Sequence, residues 1–315
     1  MPGGILHVME HKFAYLSGYI DGDGCFYVRT YTQKPNNILV YEYSIQICSV
    51  DRNIIEYFSQ EFGGSFSKRP EKRSDRKDSF LWTIKTKQAL LIANEIQHFI
   101  ISKKTSCLLF ISLALSIIPN KGISISSIEL STRDNLIKKI KEDIHMSDLI
   151  TEEKFNEVKR LHKCIDPSEA DFAYFAGLTD AEGCFRIQHW TDKRENRGKN
   201  YVVAFEIGNT KYSIFPWIVS RFGGSVRFRK ATKKGKAMII WELRSQSLVP
   251  LLEKLHPFLR VKKERCNKLI EFYKTKLPSS LGRNTPEFKR RFIDVQERRE
   301  LLLEEFRMLN AKGKH

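Results

Sequence analysis

One stretch of this sequence occurs twice. Residues 13–26 read FAYLSGYIDGDGCF and residues 172–185 read FAYFAGLTDAEGCF. The same offset of 159 residues carries Gly24 to Gly183, Trp82 to Trp241, Lys103 to Lys262 and Cys107 to Cys266. The FGGS segments at 62–65 and 222–225 stand 160 apart, so one small indel separates the halves. Chance does not hold one offset over so many positions, and the chain must fold as two copies of one unit.

Within each copy the hydrophobic period changes in a fixed order. Phe13, Leu16, Ser17 and Ile20 form one helical stripe beside a second stripe of Ala14, Gly18 and Asp21. The second copy repeats the small stripe as Ala173, Gly177 and Asp180, after Ser168 and Asp171 in capping-box spacing. Alternation of period two follows, with Phe26 and Val28 against Tyr27, Arg29 and Tyr31, and with Phe185 and Ile187 against Arg186, Gln188 and Trp190. A second strand over 41–49, a helix over 51–62 closed by Gly63 and Gly64, a hairpin over 66–69 and 80–85, and a helix over 87–99 complete the first copy. Each half therefore reads αββαββα. The units are expected at 1–125 and 167–280, with a charged helical connector at 126–166 and a helical extension at 281–315. That extension is a candidate counterpart of the helix over 133–145. Trp82 and Trp241 read as core.

With 54 Lys and Arg against 37 Asp and Glu among 315 residues, the net charge is +17. Such a surplus suits a polyanion, either nucleic acid or an anionic membrane. No apolar run reaches membrane-spanning length, and the N-terminus lacks the pattern of a secretory signal, which leaves nucleic acid ahead. The six cysteines form no C-x-x-C pair and read as small buried thiols in a reducing compartment, an organelle or a bacterial cytoplasm.

The paired acids carry the chemistry. Asp21 and Asp23 stand at the C-terminal end of a helix, where the macrodipole disfavours negative charge, so they call for a cation or backbone amides. A calcium-binding EF-hand loop is disfavoured, because Cys25 and Thr32 stand where it needs acidic or amide ligands. Packing the two small stripes together instead brings Asp23 and Glu182 to one end. Two such carboxylates, with phosphate and water oxygens, make a site for hard divalent ions.

LSGYIDGDG and FAGLTDAEG resemble the motifs of the LAGLIDADG homing endonucleases, in the monomeric form that carries two of them. The resemblance covers about residues 10–118 and 168–280. It implies an α+β fold of two pseudo-symmetric αββαββα units, with saddle-shaped antiparallel sheets, packed through the motif helices. It also implies a double-strand break in a long asymmetric DNA target, by phosphodiester hydrolysis with two or more divalent ions, Mg2+ first, that leaves 3′ overhangs. Mn2+ or Ca2+ could occupy the same site, Ca2+ without turnover. By resemblance Asp23 and Glu182 are the metal-binding catalytic acids, and Asp21 and Asp180 the structural ones. Lys103 and Lys262 fall where the family has a lysine near the scissile phosphate, with Lys104 and Lys263 as alternatives. Ser49 and Asn209 fall near the place of a residue that positions water. The outward strand positions would touch DNA: Tyr27, Arg29, Tyr31, Gln33, Gln46, Ser67, Arg69 and Lys85 in the first half. In the second half they are Arg186, Gln188, Trp190, Glu206, Arg227, Arg229 and Arg244. The basic run 68–77 is a candidate phosphate clamp.

A maturase that assists splicing of host intron RNA is the alternative on the same scaffold. Such a protein can lose its acids, and both are kept here. A family-related DNA-binding regulator is disfavoured by the absence of a clear helix-turn-helix pattern. An intein is disfavoured by the terminal residues NAKGKH and the lack of a leading Cys or Ser.

Overall fold

The fold was determined as a computed structural model, which describes residues 3–35, 38–70, 77–117, 126–146, 149–191, 199–233, 235–277 and 285–311. The first unit comprises α1 (Gly3–Asp23), β1 (Gly24–Gln33), β2 (Ile38–Ser49), α2 (Arg52–Phe62), β3 (Ser65–Arg69), β4 (Ser79–Lys85), α3 (Thr86–Ile96) and α4 (Lys104–Ile117). A connector of α5 (Ser127–Met146) and α6 (Glu152–Lys159) leads to the second unit. That unit comprises α7 (Glu169–Glu182), β5 (Gly183–Thr191), β6 (Lys199–Asn209), α8 (Ile214–Phe222), β7 (Ser225–Arg229), β8 (Met238–Arg244), α9 (Leu248–Leu255) and α10 (Lys263–Lys274), and α11 (Pro286–Ala311) ends the chain. The αββαββα order is present in both halves. Two helices begin earlier than expected: α1 at Gly3 rather than close to Phe13, and α5 at Ser127 rather than at 133.

Each unit has one four-stranded antiparallel sheet, ordered β1-β2-β4-β3 and β5-β6-β8-β7. Alternation puts Phe26, Val28, Tyr43, Ile45, Ile47 and Trp82 into the core of the first, while Arg29, Tyr31 and Gln33 stay exposed. Ser168 and Asp171 form the expected capping box of α7, and Asp51 caps α2.

The FGG turns and the two tryptophans belong to one device. Gly63 and Gly64 have φ of 74° and 89°, and Gly223 and Gly224 have 68° and 90°, a region open to glycine at little cost. The turn then presents the Gly63 carbonyl to the Trp82 indole N–H, and Gly223 to Trp241, each at 2.7 Å. Both indoles are fully buried, so the bond satisfies a donor that would otherwise be stranded.

The helix that follows each unit packs on its first hairpin in the same way. From β2 the Tyr41 hydroxyl donates to Asp134 of α5 at 3.2 Å, with Arg133 over its ring. From β6 the Tyr201 hydroxyl donates to Glu300 of α11, with Arg299 over its ring. The helix α11 is thus the second unit's counterpart of α5. Among the described residues no helix is long and apolar enough to cross a membrane. All six cysteines are unbridged; Cys107 and Cys266 are buried, Cys25 is half-buried, and Cys48, Cys164 and Cys184 are exposed, against the expectation of six buried thiols.

Candidate active site at the helix crossing

The helices α1 and α7 pack against each other at the centre of the molecule. A Cβ on Gly18 would stand 1.9 Å from the Tyr174 carbonyl oxygen, and one on Gly177 would stand 2.0 Å from that of Tyr15. Only glycine permits this approach, and Ala14 and Ala173 beside it are fully buried.

Two tyrosines cross the interface reciprocally. The Tyr15 hydroxyl donates to Asp180 at 2.7 Å, and the Tyr174 hydroxyl donates to Asp21 at 2.6 Å. Asp21 also accepts from the backbone N–H groups of Ile101, Ser102 and Lys103 and from the Ser102 hydroxyl. Asp180 accepts from the N–H groups of Arg260, Val261 and Lys262. These amides answer the adverse helix dipole and anchor the turn that carries each lysine. Burial pushes the Asp180 carboxyl up, and its hydrogen bonds pull it down. The tyrosine hydroxyls are pushed well up, first by burial and then by the aspartates. Sequence reasoning passed over Tyr15 and Tyr174, although their identity at offset 159 was a usable signal. On the same flank Arg260 lies over the Tyr57 ring at 3.6 Å and the Tyr15 ring at 5.3 Å.

Asp23 and Glu182 sit at the two helix ends, where a Cβ on Gly22 would lie 3.2 Å from the Glu182 Cγ. Burial by the surrounding protein raises both carboxyl pKa values, and Asp23 raises that of Glu182 further. Lys262 and Lys103 oppose this at both acids. The lysine ammonium groups turn back onto the ends of the helices. Lys103 Nζ donates to the carbonyls of Ile20 at 2.6 Å and Gly24 at 2.8 Å, and Lys262 Nζ to that of Thr179 at 2.7 Å. A cation here complements the helix C-terminus. Burial still pulls both lysine pKa values down, that of Lys262 to about 8. Lys104 reaches the Gln97 carbonyl instead, and Lys263 is exposed.

A cleft of 790 Å³ brings Asp23 and Ser49 of the first unit together with Lys262 and Arg265 of the second. Ser49 and Asn209 occupy equivalent turns: Ser49 Oγ accepts from Asp51 N at 3.1 Å, and Asn209 Oδ1 from Lys211 N at 2.9 Å. Tyr19 also donates to Ser49 Oγ at 3.3 Å.

On the outward sheet faces, Arg29, Tyr31, Gln33, Ser67, Arg69 and Lys85 are exposed, and Tyr27 and Gln46 are half-buried. In the second unit Arg186, Trp190, Arg227, Arg229 and Arg244 are exposed and Gln188 is half-buried. Glu206 departs from the expectation of a side chain presented to DNA. It is 3 % exposed, because Arg186 and Arg227 close over its two oxygens at 2.8 Å each. Glu242, unmarked by sequence reasoning, is 7 % exposed beside it and holds Arg244 at 2.6 Å. The basic loop after β3 lies partly outside the described residues, at 71–76.

The profile of LAGLIDADG endonucleases matches residues 16–115 and 175–277, more than half of the chain and both copies of the repeat. The chain belongs to the LAGLIDADG endonuclease family. Among solved structures, I-LtrWI bound to target DNA superposes with a TM-score of 0.63 at 15 % identity, covering 91 % of this chain and 96 % of that one. I-SmaMI bound to cleaved DNA gives 0.58 at 16 %, covering 92 % and 95 %, and I-GzeII in complex with a DNA target gives 0.58 at 15 %, covering 90 % and 97 %. These likenesses establish the double-motif LAGLIDADG fold. No curated protein sequence matches the chain.

A LAGLIDADG endonuclease implies a divalent cation, and the donor set suits one of the magnesium type. Among the described residues no three His, Cys, Asp or Glu side chains gather as a ligand cage. The protein offers the two carboxylates Asp23 and Glu182, which matches an ion that keeps water and takes phosphate oxygens as further ligands. It does not match zinc, which needs three or four protein ligands. Burial raises the pKa values of both acids, and a bound cation would stabilise their charged forms.

Proposed function

We propose that this protein is a site-specific DNA endonuclease that acts as a monomer and hydrolyses one phosphodiester in each strand of a long, asymmetric duplex target. The observation that carries this reading is the pair Asp23 and Glu182, set side by side by touching helices and flanked by Lys103 and Lys262. Asp23 and Glu182 would hold Mg2+, which supplies water activation and stabilises the leaving oxygen. Lys103 and Lys262, capping the helices behind the acids, place positive charge where phosphate negative charge develops. Ser49 and Asn209, each fixed by a turn, orient water at the two ends of the site. The cut crosses the minor groove and leaves 3′ overhangs. The net charge of +17 supports duplex binding that weakens steeply with salt.

The test begins with a cleavable target selected from a random duplex pool, carried on a plasmid. Asp23→Asn is expected to abolish linearisation with Mg2+ while retaining duplex binding in a gel-shift assay, and end sequencing of the wild-type product is expected to show 3′ overhangs. Linearisation by Asp23→Asn at the wild-type rate would overturn the assignment. Nothing in the structure favours intron RNA as the partner over duplex DNA.

A further inference from the structure

The outward face of the second unit's sheet holds a cluster that the first unit lacks. Glu206 on β6 and Glu242 on β8 stand directly opposite each other in register, on the two central strands. Arg186 comes from the edge strand β5 and Arg227 from the edge strand β7, and each pairs with one oxygen of Glu206. Arg244 pairs with Glu242 through Nε. The acid side chains are 4 % and 7 % exposed, and the three arginine side chains 44 %, 52 % and 54 %. The carboxylates thus form a buried floor beneath guanidiniums whose side chains stay about half exposed.

We infer that Glu206 and Glu242 are positioning residues that aim Arg186, Arg227 and Arg244 at guanines, making the half-site under the second unit guanine-rich. The inference rests on the DNA-binding reading above. A free edge-strand arginine would swing to the phosphates along the groove wall. Here Glu206 draws both edge arginines toward the middle of the sheet, over the floor of the groove, where base edges lie. A guanidinium has five donors in a rigid fork, so one spent on a carboxylate leaves a pair for the O6 and N7 of guanine. Ala204 lies between Arg186 and Arg244 in one cross-strand row and leaves both side chains room. With strands about 4.8 Å apart, those two arginines start about 10 Å from each other. That separation spans about three base pairs.

The first unit supplies the contrast. Its repeat-equivalent residues are Tyr27 for Arg186, Gln46 for Glu206, Ser67 for Arg227, Thr83 for Glu242 and Lys85 for Arg244. Among the described residues no pair of acids lies there; a single acid, Glu42, holds Arg29 and Lys85, one on each oxygen, so one anchored guanidinium stands where the second unit has three. The other half-site therefore lacks the guanine cluster.

The test is a binding selection from a randomised duplex pool with Ca2+ in place of Mg2+, using wild type, Glu206→Gln and the surface variants Arg186→Lys and Arg227→Lys. Wild type is expected to enrich guanine at clustered positions in one half-site. Arg186→Lys and Arg227→Lys should each lower the preference for guanine at one position by about tenfold, the discrimination of a bidentate pair. Glu206→Gln, checked for folding by its thermal transition, should lower it at both of those positions together. An unchanged base profile in all three variants, with affinity shifted equally for every sequence, would show phosphate contacts only and overturn the inference while leaving DNA binding intact. Failure of the wild type to bind any duplex would instead sink the proposed function, and the inference with it.

Discussion

Replacing either crossing glycine by alanine tests the interface on which the site depends. In Gly18→Ala the new methyl would lie 1.9 Å from the Tyr174 carbonyl oxygen, and ordinary contact begins at 3.4 Å. Backbone is on both sides, so the helices must part by roughly 1.5 Å to relieve the clash, and packed interiors resist such shifts. Parting of that size breaks the Tyr15–Asp180 and Tyr174–Asp21 bonds, which stand at 2.7 and 2.6 Å. Overpacking costs about 1–3 kcal/mol. Two buried bonds to charged groups add about 1.5–3 kcal/mol each. The better helix propensity of alanine returns about 1 kcal/mol. The expected net loss is about 3–8 kcal/mol for Gly18→Ala, and the same for Gly177→Ala. Because one opening breaks both bonds and admits both methyls, the double variant should cost far less than the sum. Urea unfolding followed by tryptophan fluorescence at low temperature measures all three. Single losses under about 1 kcal/mol, or strictly additive ones, would refute the reasoning.

Other outcomes follow from the same geometry. Tyr174→Phe and Tyr15→Phe should each lower stability by about 1.5–3 kcal/mol, the loss of a hydrogen bond to a charged group, read by chemical denaturation. Trp241→Phe leaves the Gly223 carbonyl without its indole donor, so a loss of about 1–3 kcal/mol beyond the volume change is expected in the same assay. Lys262 is pushed down to about 8, so its charged form weighs against folding at lower pH. Between pH 8 and the ordinary lysine range the unfolded chain holds the proton more tightly than the folded one, so stability contributed by this residue rises with pH there. Stability curves of wild type and Lys262→Met should therefore converge as pH rises above 8, and parallel curves would contradict the shift.

Much of this fold was legible because duplication and period act together. The offset of 159 paired the motif helices, and the small stripes Ala14/Gly18 and Ala173/Gly177 identified the faces that touch. Strand alternation placed Phe26 inward and Arg29 outward without ambiguity. Long-range partnerships were not legible. That Lys103 reaches back to the carbonyls of its own unit's motif helix, and that Lys262 shares a cleft with Asp23 of the other unit, depends on where a turn eighty residues downstream comes to lie. Alternation also assigns Glu206 to the outward face correctly but says nothing about what lies above it. Only the lateral register of β5, β6 and β7 shows that two arginines cover it.

The reciprocal tyrosines have a consequence for assembly. Each motif helix carries a glycine groove, a tyrosine donor and an aspartate acceptor, so each unit presents a surface complementary to itself. Unlike pairing differs from like pairing in one-sided contacts, among them that of Arg260 with Tyr57 and Tyr15, since the repeat-equivalent of Arg260 is Ile101. Two first units joined together would bring no guanidinium to either Tyr57 ring. Two second units would bring Arg260 to Trp217, the equivalent of Tyr57, twice over. For equal numbers of the two units these contacts total the same in like and unlike pairs, so severed units would have no strong bias toward the unlike pair. The connector of α5 and α6, by holding unlike partners at high effective concentration, keeps the molecule asymmetric.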